Sequence, residues 1–197
     1  ERVVKNNKFG LKLGGLLITI ILIFSSIFCG RLVEQFALNQ NIFHKAIGYF
    51  ILIIGMSSCI ASKSLNQSIL NVLTALEKGK NDSGLESARE ELSYIVGRDV
   101  CKLSQTEILR ASAESASENA VDGVFAPIFW MLLGAALLTL NSKLPGPLAL
   151  GWAYKASSTI DSMIGYKYGR LLSLGMIGAK LEDALTWLPC RLVLITL

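Results

Sequence analysis

The chain has 197 residues, 52% hydrophobic and 17% charged, with a net charge of +4 and a mean hydropathy of +0.49. Soluble domains carry about 25% charged residues, so this composition excludes an ordinary water-exposed globule and points to lipid. The basic residues are scattered, with no basic block and no aromatic interleaving, which excludes nucleic acid as a partner.

In chain order, Arg2, Lys5, Lys8 and Lys12 precede an uncharged run from Leu13 to Gly30. Further uncharged runs extend from Ala46 to Ser62 and from Gly123 to Ser142. Each is close to the ~20 residues a helix needs to cross the hydrocarbon core. The first is too long for the apolar part of a cleaved signal peptide, which stops at about 15 residues. Spans are expected at about 13–30, 46–62 and 124–142, within a single polytopic all-α membrane domain over 1–197. The positive-inside rule puts the N-terminus in the cytoplasm, the turn from Arg31 to Lys45 outside, and Lys63 back in the cytoplasm. The chain opens on Glu1 and stops at Leu197 inside a new apolar stretch, "LVLITL", so both ends read as cut.

Cys29, Cys59, Cys101 and Cys190 show no CxxC spacing and read as buried free thiols. The lone His44 lies in the expected external turn, which excludes Ser-His-Asp and Cys-His catalysis as well as a zinc site. Metal chemistry here has to run on oxygen ligands, the preference of Mg²⁺.

Residues 63–122 hold seven Lys/Arg and ten Asp/Glu, and form the expected cytoplasmic segment. Leu65, Ile69, Val72, Leu73 and Leu76 recur at helical spacing, with Gly79 as a stop. Leu85, Ala88, Leu92, Ile95 and Val96 repeat the pattern up to Gly97. A third helix opens with "SQTE", where Ser104 and Glu107 have capping-box spacing, and runs to Gly123. No β-alternation occurs. After Ser142 the breaker "LPGP" (144–147) turns the chain, and Pro147 to Gly165 is expected to return as a second arm of a hairpin, although it holds Lys155 and Asp161.

Three polar clusters remain. Glu114, Glu118 and Asp122 stand at i, i+4 and i+8, next to Asn119. Like charges at that spacing repel by a few tenths of a kcal/mol per pair. The row is either a solvated acidic face softened by Arg110 or an edge that binds a divalent cation or an amine. "YKASSTIDSMIGYKYGR" (154–170) is either a polar helix seam or a phosphate site, with Lys155, Lys167 and Arg170 holding the anion and Asp161 orienting a cation or amine. There is no P-loop sequence. In "AKLEDALTWLPCRL" (179–192), Glu182 and Asp183 point to neighbouring helix faces, so at most one of them serves a given site; the stretch reads equally as interfacial charges before another span.

Taken in this order, "ASKSLNQ" (61–67), "ELSYIVGRDVCKLSQTEILRASAESASENAVDGVFAPIFW" (91–130), "LPGPLALGWAYKASSTIDSMIGY" (144–166) and "GAKLEDALTWLPCRL" (178–192) resemble the CobD/CbiB family, the membrane adenosylcobinamide-phosphate synthases of cobalamin biosynthesis. The resemblance implies an ATP-dependent ligase that joins the carboxylate of adenosylcobyric acid to the amine of aminopropanol phosphate. It implies Mg²⁺ as cofactor, ATP as co-substrate, and a multi-pass place in the inner cell membrane with the active face cytoplasmic; homo-oligomers fit it as well. On this reading Glu114, Glu118 and Asp122 hold Mg²⁺ or the ammonium and, with Lys155 and Asp161, form the catalytic set. Arg98, Asp99, Asn119, Ser162, Tyr166, Lys167, Arg170, Glu182 and Asp183 bind substrates. The chain departs from the family pattern at Ser158 and Thr186, where Asn is usual, and at Cys190, where Ala is usual. The family's N-terminal His-Pro-Val segment and its last spans are expected to lie beyond Glu1 and Leu197. The rival reading is a non-catalytic, AmpE-like membrane sensor or regulator; the intact acidic row and "DSMIGY" argue against it, as a sensor needs no phosphate site.

Overall fold

A computed structural model describes residues 8–38, 42–60, 63–78, 82–97, 99–165 and 169–196. Every regular element among the described residues is helical: α1 (Lys8–Ala37), α2 (Ile42–Ser58), α3 (Lys63–Lys78), α4 (Asp82–Ser93), α5 (Gln105–Ala120), α6 (Ala126–Leu140), α7 (Pro147–Ile164), the single turn α8 (Leu171–Leu174) and α9 (Met176–Thr196). They form two compact units, Glu1–Ile60 with Phe125–Leu197, and Ala61–Val124.

In the first unit, α1 packs along α7 and also touches α2, α8 and α9. Its 30 residues rise about 45 Å, more than the ~30 Å of a hydrocarbon core. Among the described residues two helices are long and apolar enough to cross a membrane, Phe9–Ala37 and the helical run Gln105–Leu140; Lys45–Ser58 is a shorter apolar helix. Phe24 and Phe28 of α1 and Leu132 of α6 are about two-thirds exposed, the pattern of side chains that meet lipid rather than a protein core.

Helices run further than the apolar runs suggest. Much of the expected turn from Arg31 to Lys45 is helical: Arg31 and Glu34 continue α1 to Ala37 and pair with each other one turn apart, and α2 begins at Ile42. His44 therefore sits in the first turn of α2 and not in a loop. At the other end α2 stops at Ser58, short of the expected residue 62.

α6 and α7 form the expected helical hairpin. Leu144 closes its turn onto the Asn141 carbonyl, and Pro147 opens α7 where its missing N–H costs nothing. Gly134 of α6 lies against Gly146, and Met131 against Gly151, so the two arms run antiparallel. On the opposite flank Gly30 meets Ala149: a Cβ there would stand 2.6 Å from the Ala149 Cα. Small residues at such crossings let backbones approach in membranes, where packing replaces the hydrophobic effect between helices. All four cysteines are free, but only Cys59 is buried; Cys29 and Cys101 are exposed and Cys190 is half-buried. The expectation of burial therefore fails at Cys29, which faces outward from α1, and at Cys101, which lies in the turn before α5.

The second unit is a small helical core. Val72, Ala88, Leu92, Val100, Ile108 and Ala111 are buried together, with Leu76, Leu85, Ile95 and Val96 packed around them. This is the apolar stripe read from the 3.6-residue period. α4 ends at Ser93 and not at Gly97, because residues 94–97 form a turn with Ile95 and Val96 both bonded to the Leu92 carbonyl. Ser104 caps α5 as expected: its hydroxyl accepts from Glu107 N–H, while the Glu107 carboxylate accepts from Ser104 N–H at 2.7 Å. Gly79 lies outside the described residues.

Candidate functional site

In the second unit the acidic row follows the period of α5 only in part. Glu114 and Glu118 are exposed on one face and border a concavity of about 270 Å³, together with Gly97 and Ser115. Glu114 also borders a neighbouring hollow of about 350 Å³ with Glu107 and Arg110. Asp122 falls inside a π turn, Val121–Phe125, so it leaves the i, i+4 register and is half-buried. Pro127 follows closely; lacking an N–H and crowding the carbonyl four residues back, it disfavours regular α geometry there. Beside the row, Asn119 donates to the Ser115 carbonyl at 2.8 Å, and Ser115 donates to the Ile95 carbonyl at 3.3 Å, tying α5 to the turn before Gly97. Asp99 accepts Cys101 N–H at 3.0 Å. That bond holds the Asp99 carboxyl below its ordinary value, while the nearby carboxylate raises the Cys101 thiol.

Among the described residues no three His, Cys, Asp or Glu side chains converge as metal ligands. Glu114 and Glu118 together present hard oxygen donors to one hollow. That fits Mg²⁺, which takes one or two carboxylates and completes its sphere with water and phosphate.

The first unit brings the second and third clusters together. Tyr154 of α7 is buried against α9, its hydroxyl 3.0 Å from Thr186 Oγ1 and 3.5 Å from Glu182 Oε1. Thr186 donates to Glu182 at 2.7 Å. As the spacing required, Glu182 and Asp183 part company: the first is nine-tenths buried, the second exposed. Trp130 of α6 donates to the Leu185 carbonyl at 3.2 Å and secures α9 beside this seam.

α7 divides its own polar residues. At 100° per residue, Tyr154, Ser157 and Asp161 share the flank turned to α9, whereas Lys155 and Thr159 face the other way. Lys155 lines a cavity of about 460 Å³ with Leu22, Ser58, Trp152, Thr159 and Met163. The run 154–170 is thus two surfaces and not one. Ser162 is exposed and donates to the Thr159 carbonyl; Arg170 is exposed ahead of α8. Arg98, Tyr166 and Lys167 lie outside the described residues.

Sequence reasoning missed a further polar centre. Glu34 of α1, 1% exposed, accepts the N–H groups of Gly146 and Ala149, each at 2.9 Å, at the start of α7. Arg31 pairs with Glu34 at 3.3 Å and donates to the Ser142 carbonyl. The available signal was an acid and a base three residues apart just past an apolar run, because ionisable groups at that depth face a partner. Tyr154 carries no distinctive spacing in an apolar helix, and Thr186 stands out in the sequence only as a departure from the family pattern.

Fold and site together define an all-helical protein with helices of membrane-crossing length and buried polar seams between them. The family model described as CobD/Cbib protein matches residues 1–197, and the chain belongs to that family. It is 43% identical over 192 residues to a cobalamin biosynthesis protein CobD of Synechocystis sp., covering 98% of this chain and 53% of that protein. It is 42% identical over 149 residues to cobalamin biosynthesis protein CobD of Pelobacter propionicus, covering 76% and 41%. Cobalamin biosynthesis protein CbiB of Salmonella arizonae is 37% identical over 156 residues, covering 79% and 44%. The chain spans about half the length, or less, of these curated relatives. No solved structure matches.

Proposed function

We propose that this chain carries part of an ATP-dependent amide ligase of cobalamin biosynthesis, in the inner cell membrane with its active face cytoplasmic. Family membership over residues 1–197, with relatives named for cobalamin biosynthesis, carries the reading. The acid is adenosylcobyric acid and the amine is aminopropanol phosphate. In the first step a carboxylate oxygen attacks the γ-phosphorus of ATP and ADP leaves, giving an acyl phosphate. In the second the amine nitrogen attacks the acyl carbon, phosphate leaves with the C–O electron pair, and the nitrogen loses a proton.

Charge stabilisation of the transferring phosphoryl group is the main demand of such chemistry. Glu114 and Glu118, with Asp122 nearby in sequence, would hold Mg²⁺, which supplies positive charge at that group when bound. Lys155, Lys167 and Arg170 would take phosphates, and Arg98, Asp99 and Asn119 would contact substrate. A sensor-type relative is the rival.

The test is product formation in reconstituted membranes given adenosylcobyric acid, aminopropanol phosphate and Mg-ATP, with the amide read by mass spectrometry. A form extended to the length of the relatives runs beside this chain. Amide from either supports a ligase; folded protein that gives none in both forms overturns the reading in favour of the sensor.

A further inference from the structure

The cavity of about 460 Å³ that Lys155 lines owes its existence to the short reach of α2. Gly30 meets Ala149, and Gly178 of α9 meets both Ile160 and Thr19, so α1 and α7 run side by side in opposite directions. α2 lies over their shared flank as far as Trp152, whose Nε1 donates to the Gly55 carbonyl at 3.2 Å, and then ends at Ser58. Past that point the flank is uncovered by α2, and the groove continues along α7 to Ile164. From Trp152 to Ile164 the helix rises about 18 Å. One leaflet of a ~30 Å hydrocarbon core is about 15 Å deep, so the groove has the length of an acyl chain.

Its walls are apolar, formed by Ile18, Leu22, Trp152, Ile160 and Met163. Ile18, Leu22 and Met163 are exposed and make its rim. Among the described residues that line it, Lys155 alone carries a charge. No carboxylate among the described residues pairs with that ammonium; the ion pair present is Arg31–Glu34. An ionisable group at membrane depth is costly and marks a site where it meets a partner, and what this one lacks is an anion. The hydroxyls beside it are already committed to their own helices. Ser58 donates to the Gly55 carbonyl at 2.6 Å, and Thr159 to the Lys155 carbonyl at 2.8 Å. A polyphosphate brings several negative charges and needs several donors, which one ammonium among apolar walls does not supply. A single phosphodiester joined to a long hydrocarbon chain matches both the lone cation and the walls.

We infer that this groove binds one anionic phospholipid, with an acyl chain along Ile18, Leu22 and Ile160 and the phosphate held by Lys155. The flexible stem of a lysine lets its ammonium reach a headgroup at the edge of such a groove while its methylenes stay against the apolar wall. The inference rests on the membrane part of the proposed function and not on the ligase reaction. There Lys155 takes a phosphate; here that phosphate is a phospholipid's.

The experiment is native mass spectrometry of the full chain released from detergent, with phosphatidylglycerol or phosphatidylcholine of the same acyl chains added at equal concentration. One phosphatidylglycerol should stay bound in preference to phosphatidylcholine. Lys155→Gln should reduce that preference about fivefold, Lys155→Arg should keep it, and Lys143→Gln, in the hairpin turn, should leave it unchanged. Ala156→Trp, which fills the groove, should lower retention of both lipids. Helicity and thermal midpoint are read on each variant; should Ala156→Trp unfold, Lys155→Gln, which only removes a charge, decides alone. Equal retention of the two lipids, a preference unchanged in Lys155→Gln, or displacement by Mg-ATP or inorganic phosphate overturns the inference. So does loss of the lipid in a form extended to the length of the relatives, which would make the groove a seat for another helix. No corrinoid or amine enters the binding measurement, so failure of the ligase reading and failure of the lipid site are separately visible.

Discussion

Glu34 Oε1 accepts the backbone N–H of Ala149 at 2.9 Å, joining residues 115 apart in the chain. The other carboxylate oxygen takes Gly146 N–H at the same distance, and Arg31 binds both this carboxylate and the Ser142 carbonyl. A helix start has N–H groups with no partner in their own helix, and lipid offers none. The N-cap of α7 is Gly146, which has no side chain to supply one. A side chain from α1 therefore does what an N-cap residue usually does, and fixes the hairpin turn onto α1 as well.

Removing that carboxylate should be costly. Glu34→Ala leaves two buried N–H groups without a partner and takes from Arg31 its carboxylate, leaving it the Ser142 carbonyl alone, a loss of about 3–5 kcal/mol. Glu34→Gln should fall between wild type and Ala, since its amide oxygen still accepts one N–H. Thermal unfolding in detergent, with protease sensitivity of the 141–146 turn, measures the order. Equal stability of all three would remove the clamp from the account of the fold.

Gly30→Val tests the closeness of α1 and α7. Its Cβ would meet backbone and not a movable side chain, so the helices must separate, at about 1–3 kcal/mol. Gly97→Ala, where nothing lies within 4 Å of an added Cβ, is the control and should unfold as wild type does. Thermal midpoints of the two variants decide it.

Thiol chemistry should separate the four cysteines. A water-soluble maleimide should label Cys101, which is exposed outside the apolar helices, and spare buried Cys59 until unfolding. Cys29, exposed on α1, should be shielded in bilayers and react in mild detergent. The Asp99 carboxylate holds the Cys101 thiol above its ordinary value, so Asp99→Asn should raise the thiolate fraction and speed labelling at neutral pH. Labelling rates that ignore Asp99 would contradict this.

Acid should loosen the 99–101 turn. The Asp99 value is depressed in the fold by Cys101 N–H, so its contribution is fully present above the ordinary carboxylate range. It is lost as pH falls through the depressed folded value. Hydrogen exchange of the Cys101 amide, corrected for intrinsic rates, should accelerate in acid for wild type and be fast and flat in Asp99→Asn. Ser104→Ala, one turn further on, should weaken the α5 cap by about 1 kcal/mol at every pH.

The acidic row can be tested by metal dependence. In the proposed ligase, Glu118→Gln should raise the Mg²⁺ needed for half-maximal rate by about 10–100-fold. Asp122→Asn, displaced from the row by the π turn, should do so more weakly. An unchanged Mg²⁺ response in both would take the row out of metal binding.

Much of this protein is legible in one dimension because the causes are local. Hydropathy marks α1 and α6, the 3.6-residue period marks the buried faces of α3 and α4, and the Ser104–Glu107 spacing marks the start of α5. "LPGP" marks the hairpin turn, and the adjacency of Glu182 and Asp183 already says that only one can be buried. The uncharged runs mislead at their ends, since Arg31, Glu34 and His44 stay helical once a partner or a helix start accommodates them. What the tertiary structure alone decides is pairing across the chain. Glu34 finds Ala149, Tyr154 finds Thr186 and Glu182, and Lys155 turns away from Asp161 although six residues separate them. Buried polar groups choose their partners by proximity in space, and a helix rotates neighbouring residues by 100°, so closeness in sequence carries no information about which flank a side chain serves.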